Sequence, residues 1–171
     1  MKFLLTAILY LGANLPASAD VKINAAEEKV QAAFIYNFLL LTEWPSPPKG
    51  NFNICLLGKD PILDSLKQLE VKQAKNHPIT VQVLNDVQNA KVCQILFVSR
   101  EMHPHMREID NLIADTPVLV VSSENAYDLH DTTIALSSHD GRLSFKINNT
   151  AAKNRNMSLS SQLLKLATLV Y

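Results

Sequence analysis

Phe52-Asn53-Ile54-Cys55-Leu56-Leu57-Gly58, with Lys59-Asp60-Pro61 directly behind it, is the stretch that decides the fold. A short apolar run that ends on glycine predicts a buried strand. Asp60 then suits a helix N-cap and Pro61 the first helical position, where its missing N–H costs nothing. Ile62, Leu63, Leu66 and Leu69 give the helix that follows its apolar face. The unit is therefore strand, tight turn, helix, and the remaining question is whether it repeats.

It does. Ile79-Thr80-Val81-Gln82-Val83-Leu84 alternates as a second strand should. Cys93-Gln94-Ile95-Leu96-Phe97-Val98-Ser99 and Pro117-Val118-Leu119-Val120-Val121-Ser122 read as a third and a fourth, both almost wholly apolar. Between them, a helix starting near Pro104 turns Met106, Ile109 and Ile113 inward. Apolar strands separated by amphipathic helices predict a parallel sheet covered on both faces. After Ser123 the pattern changes. Thr133–Ser137 and Arg142–Ile147 flank Ser138-His139-Asp140-Gly141, a hairpin with Asp-Gly as its turn. A last helix is expected around Ser158–Leu169. The expected class is an α/β three-layer sandwich with a mainly parallel sheet, a C-terminal antiparallel hairpin and terminal helices.

Ahead of the first strand, Ala25–Leu41 holds no glycine or proline. Val30, Phe34, Phe38 and Leu41 recur there at helical spacing. Ile35, Leu39 and Leu40 spread apolar character around the cylinder, so cover on several sides is expected. Trp44-Pro45-Ser46-Pro47-Pro48 ends this helix. Trp44 suits a packed anchor at the helix end better than a binding-site aromatic.

Further upstream, Lys2, the apolar run Phe3–Leu11, Pro16 and the small-residue site Ala17-Ser18-Ala19 form the three-part pattern of a secretory signal peptide. The run is too short to cross a bilayer core of about 30 Å. Residues 1–19 are therefore expected to be removed, leaving 20–171 as one exported domain that does not insert into the membrane. Cleavage takes Lys2 from a chain with 16 basic and 16 acidic residues, leaving one net negative charge. That balance argues against nucleic acid as a partner, since nucleic-acid binders carry a basic excess or stripe. Two cysteines, Cys55 and Cys93, lie in the mature part. In an exported chain an even count points to a disulfide, the alternative being two buried free thiols.

Sites of chemistry are missing from the pattern. With only four glycines there is no phosphate-cradling loop. No G-x-S-x-G or H-E-x-x-H occurs either. His103-Pro104-His105 spans a helix start, where the rings diverge instead of sharing an ion. Ser137, His139 and Asp140 sit too close together on a turn to converge as a triad. No catalytic group, metal or cofactor is expected. A doubly wound sheet does offer a small-molecule crevice at the carboxyl ends of its strands, here near Gly58, Ser99 and Ser122.

Two segments resemble the signatures of the YfiR family of periplasmic regulators. The first is Ala32-Ala33-Phe34-Ile35-Tyr36-Asn37-Phe38 followed by Glu43-Trp44-Pro45. The second runs from Gly141-Arg142-Leu143-Ser144-Phe145-Lys146-Ile147-Asn148 through Ala151-Ala152 to Ser160-Ser161-Gln162-Leu163-Leu164-Lys165-Leu166-Ala167. The resemblance covers essentially the whole mature chain. It implies a non-enzymatic, dimerising periplasmic protein that represses a membrane-anchored diguanylate cyclase by engaging the cyclase's periplasmic domain, with a partner lipoprotein that relieves the block. It also implies that Cys55 pairs with Cys93. A later cysteine pair of some members is absent, and His130-Asp131 stands where a glycine pair commonly precedes the fifth strand. With little charge available for steering, apolar contact is expected to join the chain to its partner. Leu163, Leu166 and Val170 on the last helix are the candidates, against the reading that all three pack on the sheet.

Overall fold

The computed structural model describes residues 19–123, 132–139 and 142–171. The expected signal peptide up to Ser18, the His130-Asp131 departure and the Asp140-Gly141 turn lie outside the described residues. Helix α1 (Ala19–Leu41) leads into strand β1 (Thr42–Glu43) and then β2 (Phe52–Leu57), α2 (Leu63–Lys67), β3 (Gln73–Ala74) and β4 (His77–Leu84). Next come β5 (Ile95–Val98), α3 (Met106–Ile113), β6 (Leu119–Ser123), β7 (Ile134–His139) and β8 (Arg142–Ile147). The chain closes with α4 (Asn149–Asn154), β9 (Ser158–Leu159), α5 (Ser161–Leu166) and β10 (Leu169–Val170).

Eight strands form one sheet in the order β10-β8-β7-β6-β5-β2-β4-β3, and β1 pairs separately with β9. The centre is parallel, as expected: β4 on β2, β2 on β5, β5 on β6 and β6 on β7. The flanks qualify that expectation. Strand β8 joins β7 antiparallel as the hairpin's second arm, from Ile134 opposite Ile147 to His139 opposite Arg142. Strand β3 returns antiparallel on β4 through Lys75 and Asn76, both at positive φ.

Side chains alternate across the sheet, and each face has its own core. Phe52, Ile54 and Leu56 of β2 point to the face covered by Ala32, Ile35, Phe38 and Leu39 of α1 and Leu66 of α2. Cys55 and Leu57 point to the opposite face, covered by Met106, Ile109 and Ile113 of α3. This makes three layers. The start of α2 is corrected: Ile62 is its N-cap and Leu63 its first residue, while Asp60 shapes the turn ahead of it, with Oδ1 accepting from Ile62 N at 3.0 Å. Val30 departs from expectation: it is exposed, and the stripe of α1 that meets the sheet is Ala32, Ile35, Phe38 and Leu39.

Cys55 and Cys93 are joined by a buried disulfide with Cα atoms 5.9 Å apart. It ties β2 to the segment entering β5 across 38 positions. On the chain-entropy model, closing that loop stabilises the fold by about 4 kcal/mol.

The expected helix over Ser158–Leu169 is corrected to strand, short helix, strand. Ser160 is extended and its Oγ accepts from Leu163 N at 3.1 Å, so the helix starts only after it. Ser158 and Leu159 are left free to pair with Glu43 and Thr42. At the other end Ala167 is extended, and Thr168 donates from both N and Oγ1 to Phe145 O at 2.9 and 3.0 Å. The tail is thereby captured on the β8 edge, where Leu169 and Val170 lie parallel to Lys146 and Ile147. Here the sheet's unpaired edge groups compete successfully with a six-residue helix that gains little from extension.

Candidate functional site

The two motif segments, far apart in sequence, meet in space. Phe34 and Phe38 of α1 stack edge-to-face, with centroids 6.1 Å apart, and both meet Phe145 of β8, at 5.7 and 5.1 Å. Such edge-to-face pairs contribute beyond the area they bury. The β1–β9 pairing then fixes Thr42-Glu43 against Ser158-Leu159, and Ser160 N donates to Leu41 O at 2.9 Å.

Glu43 accepts from Lys75 Nζ at 2.7 Å, and the same ammonium donates to Thr42 O at 2.6 Å. Lys75 also stands over the Trp44 ring, 5.8 Å from its centre. Trp44 packs on Phe52, so it is the anchor its position suggests. Tyr36 donates from its hydroxyl to Gln73 O at 2.9 Å, tying α1 to β3. Asn148 caps α4, its Oδ1 accepting from Ala151 N at 2.8 Å, and Ser160 caps α5 in the same way. Pro45, Asn37, Arg142 and Ser161 are exposed. Most motif residues thus build the scaffold that holds the C-terminal segment against α1, leaving a minority to face solvent.

That scaffold positions an apolar surface. Of the three proposed contact residues the structure separates Leu163, only 1% exposed in the core, from Leu166 at 62% and Val170 at 39%. Leu169 and Tyr171, which sequence patterns did not single out, are exposed beside them. Strand β10 ends the sheet, so no described strand covers its outer edge. A sheet edge with large exposed apolar residues is a surface ready to pair with another chain. Partial burial pushes the Tyr171 hydroxyl above its usual pKa of 10.0.

One buried ion pair escaped sequence reading altogether. Arg155, 4% exposed, bonds Asp110 of α3 and donates from Nη1 to Thr133 Oγ1 at 3.2 Å. It fastens the segment after α4 to the face of the sheet opposite α1. Nothing local in the sequence reveals it, because its acidic partner lies 45 positions away.

At the carboxyl ends of the parallel strands there is a second feature, a crevice of about 390 Å³. Gly58, Ser99 and Ser122, expected near it, do not line it; its lining includes Lys59, Arg100 and Ser123, each one position further on. Ser122 is instead fully buried, its Oγ donating to Thr132 Oγ1 at 3.2 Å. Among the described residues no group of three or more His, Cys, Asp or Glu side chains could hold a metal ion, and no helix is long and apolar enough to cross a membrane.

Comparison with curated proteins returns no match. A family model described as YfiR/HmsC-like matches residues 28–168, from the third turn of α1 to the approach of β10. That span includes both motif segments, the disulfide and every strand of the sheet but the last. The chain belongs to the YfiR/HmsC-like family.

Proposed function

We propose that the protein is an exported, non-catalytic regulator. After removal of residues 1–19 it works in the periplasm as a homodimer. There it binds the periplasmic domain of an inner-membrane signalling protein, a diguanylate cyclase, and holds it in the inactive state. Family membership supports the regulatory role. The observation that carries the mode of action is the exposed apolar C-terminal edge formed by Leu166, Leu169, Val170 and Tyr171.

A periplasmic chain cannot touch a catalytic domain in the cytoplasm, so its leverage is preferential binding to one state of the receptor's outer part. A coupling of about 1–3 kcal/mol shifts the equilibrium between the receptor's two states roughly five- to 150-fold. A lipoprotein that competes for the same edge relieves the block. The test is deletion of the gene and complementation in the native host. Cyclic di-GMP should rise on deletion and return to its starting level on complementation with the wild-type chain, but not with Leu166→Asp/Val170→Asp. Unchanged cyclic di-GMP on deletion overturns the cyclase reading.

A further inference from the structure

We propose that the crevice at the carboxyl ends of β2, β5 and β6 binds a small zwitterion, one carboxylate and one ammonium group on a compact frame. This inference does not rest on the regulatory reading. Its first support is topological. From β2 the chain passes through α2 to β4 on one side. It then returns across β2 to reach β5 on the other side. Helix α2 packs on one face of the sheet and α3 on the other. The connections after β2 and β5 therefore leave in opposite directions. Such a switch point opens a crevice, and ligands of open α/β sheets bind there.

The second support is that the walls are built and held. Gly58 adopts φ +87°, and a β-carbon at that position would strike Ser99 Oγ and Met102. Only glycine lets the two connections approach so closely. Ser99 N donates to Leu57 O at 3.0 Å and Lys59 N to Glu101 Oε1 at 2.6 Å, cross-linking the β2 and β5 turns. The volume of about 390 Å³ falls in the range of small-molecule sites, roughly 300–1,000 Å³.

The third support is the charge arrangement. Helix α1 contributes Glu27, Glu28 and Gln31, while the strand ends contribute Lys59 and Arg100. Glu27 is held by Gln31 Nε2 at 3.3 Å. Glu28 and Lys59 make no ion pair with another described side chain, and Arg100 makes no direct one, though its charge acts on Asp60 in the same lining. Acidic groups on one element face basic groups on another across a gap with Phe97 in its lining. Asp60 offsets part of the positive charge of the strand-end wall, which Lys59 and Arg100 leave basic on balance. A ligand with both charges therefore satisfies both walls, whereas a simple anion or cation meets one wall of like net charge. Asp60, also in the lining, is held above its ordinary carboxylate pKa, chiefly by burial.

The experiment is thermal melting and calorimetry of the purified protein with each of the common L-amino acids at millimolar concentration. Each is paired with its decarboxylated amine and its deaminated acid. The expected result is a raised melting temperature with at least one zwitterion and with neither of its single-charge analogues. Lys59→Gln/Arg100→Gln and Glu27→Gln/Glu28→Gln should each weaken binding about tenfold or more, while melting without ligand stays unchanged. Should a double variant fold poorly, Arg100→Gln and Glu28→Gln singly read the same two contacts. Absence of binding across the panel overturns the proposal. So does equal binding by an amine or acid alone, or binding that survives both sets of variants.

Discussion

Breaking the Arg155–Asp110 pair from its two ends should have unequal effects. Asp110→Ala leaves a guanidinium that is 4% exposed without its counter-charge, in a place where its Nε already lacks a hydrogen-bond partner. Removing one member of a buried pair costs about 3–5 kcal/mol, because the surviving charge is stranded away from water. Arg155→Met removes the charge itself and keeps much of the volume. It leaves Thr133 Oγ1 without that donor, at about 1–3 kcal/mol, but the Asp110 side chain is 29% exposed and turns to solvent. Urea denaturation followed by circular dichroism measures both. For a domain of this size the Asp110→Ala change corresponds to a fall of roughly 6–20 °C in melting temperature. The double variant should be no worse than Asp110→Ala alone, since the stranded charge has gone with it. If Arg155→Met costs as much as Asp110→Ala, or if both cost under about 1 kcal/mol, then the pair does not hold the C-terminal segment as argued.

Four further outcomes follow from the same structure. Reducing Cys55–Cys93, or replacing both cysteines by serine, should lower stability by about 4 kcal/mol, roughly 8–16 °C in a thermal melt; an unmoved midpoint contradicts the loop-closure argument. Phe145→Ala should cost about 3–5 kcal/mol by emptying the centre of the aromatic cluster, and half-buried Phe34→Ala clearly less, as read by denaturant midpoints. Asp60 carries a raised carboxyl pKa, so its favourable term is present below 3.8 and is lost as pH rises through the folded-state value. Asp60→Asn should therefore gain on wild type as pH climbs through that window and run parallel to it at neutral pH, in melts taken pH by pH. Leu166→Asp with Val170→Asp should leave the melting temperature within about 2 °C, since both are surface positions, yet abolish capture of the receptor's periplasmic segment.

The central sheet was legible because its strands are short apolar runs closed by glycine, serine or proline, and hydrophobic periodicity reports burial directly. Phe52–Gly58 and Cys93–Ser99 landed where their patterns put them. The C-terminal segment was not legible in the same way. Ser158–Leu169 has helical composition, but its conformation is decided by partners remote in sequence: Thr42 and Glu43 at one end and the β8 edge at the other. Val30 fits the helical spacing yet lies outside the buried stripe, because periodicity gives the faces of a helix without saying which of them the sheet will meet. The same limit applies to the sites. Cysteine parity in a chain expected to be exported pointed to the disulfide. The Arg155–Asp110 pair and the facing charges of Glu28 and Arg100 are created by topology alone, and no local motif encodes them. Leu163 and Leu166 share one short helix, and only the packing shows that the first is buried and the second is free.

In the proposed function the exposed C-terminal edge docks on a membrane signalling protein. A photo-activatable cross-linker placed at Val170 and triggered in living cells tests it most directly. A covalent adduct is expected with an inner-membrane protein that carries a periplasmic segment and a cyclase domain, lost when Leu166 is also changed to Asp. Adducts formed solely with a second copy of the chain, or with no membrane protein at all, would contradict that docking.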